Sequence, residues 1–145
     1  MSFDGSNATD LLYVALGNPL RHDDGAAWAV VEAMDPARSL AQLQATPELA
    51  TEISGARRVV FIDAAMQGEL RLERIEHFSP SSLTHAVNPS EVVALARLLY
   101  GFTGEAWLCR IPGENFTPGE GLSRRANTNA RLAVSLLRDW CNADA

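Results

Sequence analysis

Asp24, Asp63 and His85 are the residues of this sequence whose types and settings best suit chemistry. Asp24 closes the loop Gly17-Asn18-Pro19-Leu20-Arg21-His22-Asp23-Asp24-Gly25, which interrupts the apolar run Leu11–Leu16. Asp63 follows the apolar run Val59-Val60-Phe61-Ile62 directly, and His85 lies in Leu83-Thr84-His85-Ala86, just ahead of a helix-start pattern. Two carboxylates and an imidazole form a hard-to-borderline donor set, suited to zinc, nickel or iron with positions left open for substrate. Asp24 or Asp63 could instead act as a general base in hydrolysis. Each residue also has a plainer reading. An aspartate beside a helix start is commonly a cap or a dipole partner, and a lone histidine is more often a hydrogen-bonded structural residue. Asp63 is harder to explain that way, because Ala64-Ala65-Met66 is a poor helix entry. Spacing alone leaves these alternatives open.

Other chemistries fit less well. The first loop has a single early glycine and no following lysine, so it is neither a dinucleotide fingerprint nor a phosphate loop. No G-x-S-x-G elbow is present for a serine nucleophile, and Ser123 in Gly121-Leu122-Ser123-Arg124 reads as a helix cap. Cys109 lies among the apolar neighbours Ala106-Trp107-Leu108, where an inert buried thiol is expected. Neither Cys109 nor Cys141 has a second cysteine at metal-ligand spacing. His22 and His77 are expected to be solvated, His22 being close enough to the acidic pair to perturb it.

Positioning these residues is the task of an alternating series of strands and helices. Leu11–Leu16 is a short buried strand stopped by Gly17-Asn18-Pro19. Ala27, Val30, Val31 and Met34 fall on one face of a helix from Gly25 to Met34. Leu40 to Ala45 is a weaker strand, and Thr46-Pro47-Glu48 is expected to open a short helix with Thr46 as its cap. Val59–Ile62, with no polar face, suits a parallel strand buried on both sides. Leu70 to Ile75 alternates apolar with charged residues, as an edge strand with one wet face does. Asn88-Pro89-Ser90-Glu91 carries cap, proline and capping-box glutamate for a helix ending at Tyr100-Gly101. Ala106 to Ile111 is a fifth strand. Arg124 to Cys141 is a closing helix with Ala126, Ala130, Ala133 and Leu137 inward.

This alternation predicts a three-layer α/β/α domain with a mostly parallel, about five-stranded twisted sheet. Ligands of such domains sit beyond the carboxyl ends of the strands, which points to the loops after Leu16 and Ile62. One domain is expected over residues 1–145, with 1–10 flexible. At 47% hydrophobic and 21% charged residues, the 145-residue chain has material for one sizeable core. A formal charge of -6, with no basic cluster longer than Arg57-Arg58 or Arg124-Arg125, argues against a nucleic-acid partner. No apolar run approaches the ~20 residues of a membrane span, and Met1–Asp10 has no signal-peptide pattern. A cytoplasmic, monomeric protein with free thiols is expected.

The same residues, in order, resemble the nickel–iron hydrogenase maturation endopeptidases. The resemblance rests on Gly17 to Gly25, Thr46-Pro47-Glu48-Leu49-Ala50, Val59 to Ala64 and His85-Ala86-Val87-Asn88-Pro89. It continues through Leu98-Leu99-Tyr100-Gly101 and Phe116, then Gly119-Glu120-Gly121-Leu122-Ser123, so it spans nearly the whole chain. The Thr-Pro-Glu-Leu and Asn-Pro pieces look most like the branch serving bidirectional, NAD-coupled hydrogenases. The resemblance implies an α/β enzyme that removes the C-terminal extension of a [NiFe]-hydrogenase large-subunit precursor once nickel is in place. It implies that Asp24, Asp63 and His85 contact that nickel, which the precursor supplies, and that no organic cofactor is used. A non-catalytic nickel-sensing or chaperone module would need the same three contacts. Two places depart from the family pattern. His22 stands where glycine is usual, as a possible fourth ligand or a rim residue, and Leu43-Gln44-Ala45-Thr46 replaces an Asp-Gly-Gly-Thr turn.

Overall fold

The computed structural model of the chain describes residues 10–78 and 87–143. Their strands are β1 (Leu11–Leu16), β2 (Ser39–Gln42), β3 (Arg58–Ala65), β4 (Arg71–Arg74) and β5 (Glu105–Pro112). The helices are α1 (Ala26–Met34), α2 (Leu49–Ile53), α3 (Pro89–Tyr100) and α4 (Arg124–Ala143), with a 3-10 turn over His22–Gly25. The strands form one sheet in the order β2-β1-β3-β5-β4. All pairings are parallel except β4 with β5, which is antiparallel. The mostly parallel, five-stranded sheet expected from the alternation is therefore present, and the charged-alternating strand β4 lies at its edge as its wet face requires. The segment expected to be flexible, residues 1–10, falls almost wholly outside the described residues. Asp10 is already anchored, accepting the Arg58 N–H on its carbonyl at 2.8 Å.

The sheet is buried on both faces, which explains why β1 and β3 are almost continuously apolar. Leu12, Val14, Val59, Phe61 and Ala106 pack on one face against Leu49, Ala50 and Ile53 of α2 and Val92, Val93 and Ala96 of α3. Tyr13, Ala15, Val60, Ile62, Cys109 and Ile111 pack on the other against Ala26, Ala27 and Val30 of α1 and Ala130, Ala133 and Leu137 of α4. Right-handed crossovers running in opposite directions from β1 place α1 and α2 on opposite faces. The order reverses between β1 and β3, so the loops leaving these two strands diverge and open a crevice at their carboxyl ends.

The local signals act where chain geometry allows. Asn88 caps α3 through the Glu91 N–H at 2.9 Å, and Glu91 Oε1 accepts the Asn88 N–H at 2.8 Å. Gly101 ends that helix in the left-handed conformation. At Thr46 the expectation was displaced. Leu49 and Ala50 donate to the Thr46 and Pro47 carbonyls in a turn, and regular helix begins only at Leu49 with no side-chain cap. Strand β3 also extends past Ile62 to Ala65, because β5 continues beside it as far as Pro112.

Candidate active site

Asp63 is not beyond its strand but within it. It is the last β3 residue paired with β1, opposite Leu16, and it continues in register with Arg110 on β5. The β1 chain turns away at Gly17, whose N–H still donates to the Gln42 carbonyl at 3.0 Å. Gly17 has φ +137, and a Cβ there would collide with the Asp24 carbonyl oxygen. Glycine is therefore required both for the conformation and for the return of the loop over the strand end. Asn18 organises that return. Its side-chain Oδ1 accepts the Leu20 N–H at 2.9 Å, and its own N–H donates to Asp24 Oδ2 at 2.9 Å. Asp24 is thus held on the 3-10 turn at the mouth of the crevice, with its carboxylate toward the end of β1.

The two acids meet electrostatically. Burial pushes Asp63 up to about 7, the Asp24 charge adds to that shift, and the Ala64 N–H and Arg110 pull weakly against it. Near neutral pH Asp63 therefore passes between its acid and its carboxylate, able to donate a proton in one form and to accept one in the other. The oxygens of Asp24 and Asp63 are hard donors for a divalent cation, which would relieve their repulsion and displace the proton of Asp63. His85 lies outside the described residues. Among the described residues no group of three metal-ligating side chains converges, so the described donors at this point are Asp24 and Asp63. The capped start of α3, three residues after His85, stands at this end of the sheet, since Asn88, Pro89 and Ser90 line one groove with Leu108 and Arg110.

Two neighbouring residues behave differently from their sequence reading. His22 is half-buried and held in place, where a freely solvated side chain was expected. It has φ +46, its ring packs over Gly119, and its Nδ1 lies 3.0 Å from the Gly121 carbonyl. The imidazole thereby fastens the first loop to the 113–123 loop. Asp23 is the residue that sequence reasoning missed. It is 0% exposed, the buried charged side chain among the described residues. Its Oδ2 accepts Glu114 N–H at 2.8 Å, Asn115 N–H at 3.0 Å and the Ser123 hydroxyl at 2.7 Å, while Oδ1 accepts Ser123 N–H at 2.7 Å. Burial disfavours its charge, but these hydrogen bonds outweigh burial and hold its carboxyl below the usual range. Ser123 is also the expected cap of α4, its Oγ accepting the Ala126 N–H at 3.1 Å. His77 is exposed, as expected. Burial pushes the Cys109 thiol up to about 12, which removes it as a nucleophile.

No protein-family model matches the sequence, and no curated protein matches it. Solved structures do match. The hydrogenase maturating endopeptidase HybD from E. coli superposes with a TM-score of 0.69 at 18% identity, covering 94% of each chain. The [NiFe] hydrogenase maturation protease HycI from Thermococcus kodakarensis KOD1 gives 0.70 at 17% identity, over 90% of this chain and 91% of its own. An uncharacterized protein from Wolinella succinogenes gives 0.66 at 23% identity, over 94% and 99%. The chain has the fold of these proteins along nearly its whole length and nearly all of theirs.

Proposed function

We propose that this protein is a cytoplasmic endopeptidase that removes the C-terminal extension from the nickel-loaded large-subunit precursor of a [NiFe] hydrogenase. The observation that carries the reading is the placement of Asp24 and Asp63 at the topological switch point of a fold shared with hydrogenase maturation endopeptidases. Among the described residues no helix is long and apolar enough to cross a membrane. The motifs Thr46-Pro47-Glu48-Leu49 and Asn88-Pro89 favour a precursor of the bidirectional, NAD-coupled type, taken by a monomeric enzyme.

In this reading the nickel belongs to the precursor. Asp24, Asp63 and His85 contact it, and a precursor without nickel lacks the anchor and stays uncut. The ionised carboxyl of the pair takes a proton from water as the water oxygen bonds to the scissile carbonyl carbon. When the C–N bond breaks, its electron pair leaves on the nitrogen, which takes back the proton that the carboxyl received from the water. The products are a carboxylic acid and an amine, with the proton count of the pair restored.

Intact mass spectrometry of the hydrogenase large subunit, from cells with and without this protein, tests the proposal. The tail is expected to remain when the protein is missing, or when D24N replaces it. Asparagine keeps an oxygen for the Asn18 N–H, so that variant should fold. Equal removal of the tail in all three strains would assign the cut to another protease and leave this chain a nickel-dependent binding module.

A further inference from the structure

We infer that Arg110 is a catalytic residue of this site, its guanidinium donating hydrogen bonds to the scissile carbonyl oxygen as that oxygen becomes an oxyanion. The inference rests on the endopeptidase reading. It starts from register. Asp63 and Arg110 are partners in the parallel pairing of β3 with β5. Val59 and Phe61 of β3 pack in the same core layer as Ala106 and Leu108 of β5. Side chains alternate along a strand, so Asp63 and Arg110, two residues beyond Phe61 and Leu108, share that face on strands about 4.8 Å apart.

The two residues differ sharply in setting. Asp63 is half-buried where the core layer ends, whereas Arg110 is exposed, its charge close enough to pull against the shift of Asp63. Other arginines around the sheet are engaged. Arg71 pairs with Glu73 at 3.2 Å, Arg74 lies over the Trp107 ring, and Arg125 donates to the Gly113 and Gly68 carbonyls. Among the described residues Arg110 has no hydrogen bond, ion pair or ring contact, although it stands in register with an acid.

Arg110 also lines a groove of about 360 Å³ with Leu108, Ile75, Asn88, Pro89 and Ser90. The start of α3 in that groove has its capping-box N–H groups already committed to Asn88 and Glu91, so it is poorly placed to receive an anion there. A peptide crossing the acidic pair and continuing into this groove presents its carbonyl oxygen to Arg110. When water adds to the carbonyl carbon, the C=O π pair moves onto the oxygen, and the fixed cation opposes that charge. Cleavage of the C–N bond re-forms the carbonyl and releases the contact. Such a donor acts mainly in the transition state and belongs in kcat more than in KM.

The test uses the purified, nickel-loaded large-subunit precursor as substrate for wild type, R110A and R110K, with thermal unfolding of each enzyme as the folding control. R110A should unfold like wild type, since the side chain is exposed. Loss of one oxyanion donor typically lowers kcat about 100-fold or more, and KM is expected to stay within about threefold. R110K keeps the charge without the fork and should recover part of the loss. Unchanged kinetics in R110A, or a rise in KM at unchanged kcat, would overturn the inference and leave the endopeptidase reading standing. A wild-type enzyme that leaves the precursor whole overturns both, so the two failures are read from different proteins.

Discussion

At the scale of single residues, the site is defined by one carboxyl that the fold holds in an unfavourable state. Asp63 has its folded pKa raised to about 7, whereas an unfolded aspartate titrates near 4. The folded protein therefore binds the proton more tightly between these values, and stability falls as pH rises from about 4 through 7. Above that window the charged Asp63 destabilises the fold by an amount on the order of 4 kcal/mol. D63N removes the ionisation while keeping the shape. Its urea midpoint is expected to exceed that of wild type at pH 8.5, and the gap should close towards pH 4.5. A constant gap at both pH values would mean that Asp63 is not protonated in the way its burial and its Asp24 neighbour require. Under the proposed function D63N gains stability at the expense of cleavage, the usual relation where an unfavourable ionisation state is part of the chemistry.

Between elements, the arrangement depends on Asp23 more than on the regular secondary structure. Its carboxylate ties the 3-10 turn to the loop that follows β5 and to the start of α4, across 91 to 100 residues of chain. Asp24 is the next residue, so this clamp fixes the backbone from which the candidate catalytic carboxylate projects. In D23N one of the two side-chain heads becomes an amino group facing N–H donors, leaving at least one buried donor without an acceptor. The expected loss is about 3 kcal/mol at pH 7 by chemical denaturation. The contribution of Asp23 is present above the usual carboxylate range and fades as pH falls through its lowered folded pKa, so the difference between D23N and wild type should narrow in acid. Nothing in the sequence beside Asp23 announces this role, because the partner groups of Glu114, Asn115 and Ser123 are distant and mostly main-chain. By contrast, Asn88, Glu91 and Gly101 bound α3 through contacts a few residues apart, and Ala126, Ala130, Ala133 and Leu137 mark the buried face of α4 by period alone. Local chemistry made these elements legible. Asp63 was legible as the polar residue that breaks an apolar strand, although the strand's continuation beside β5 was not.

For the whole molecule, the question is whether the two faces of the sheet unfold as one. The three tryptophans, Trp28, Trp107 and Trp140, all pack against the core layer under α1 and α4. Phe61 is fully buried in the opposite layer, under α2 and α3, near the middle of the central strand β3. Residues 60 and 61 are adjacent on that strand but face opposite layers, so the main chain of β3 is the structural link between them. Truncating Phe61 to alanine removes contacts in one layer only and should cost about 3 to 5 kcal/mol. If β3 couples the layers, tryptophan fluorescence, which reports the untouched layer, must shift its urea midpoint as far as far-UV circular dichroism does. Should fluorescence keep the wild-type midpoint while circular dichroism shifts, the α1–α4 layer would be stable without the other. The expectation is coincidence, because Val60 and Ile62 cannot stay buried on their face once Val59 and Phe61 have left theirs. The site depends on the same coupling: Asp63 belongs to the Phe61 face, while the turn carrying Asp24 leads directly into α1 on the other. Only a sheet that holds both layers together keeps the Asp24 charge within reach of Asp63.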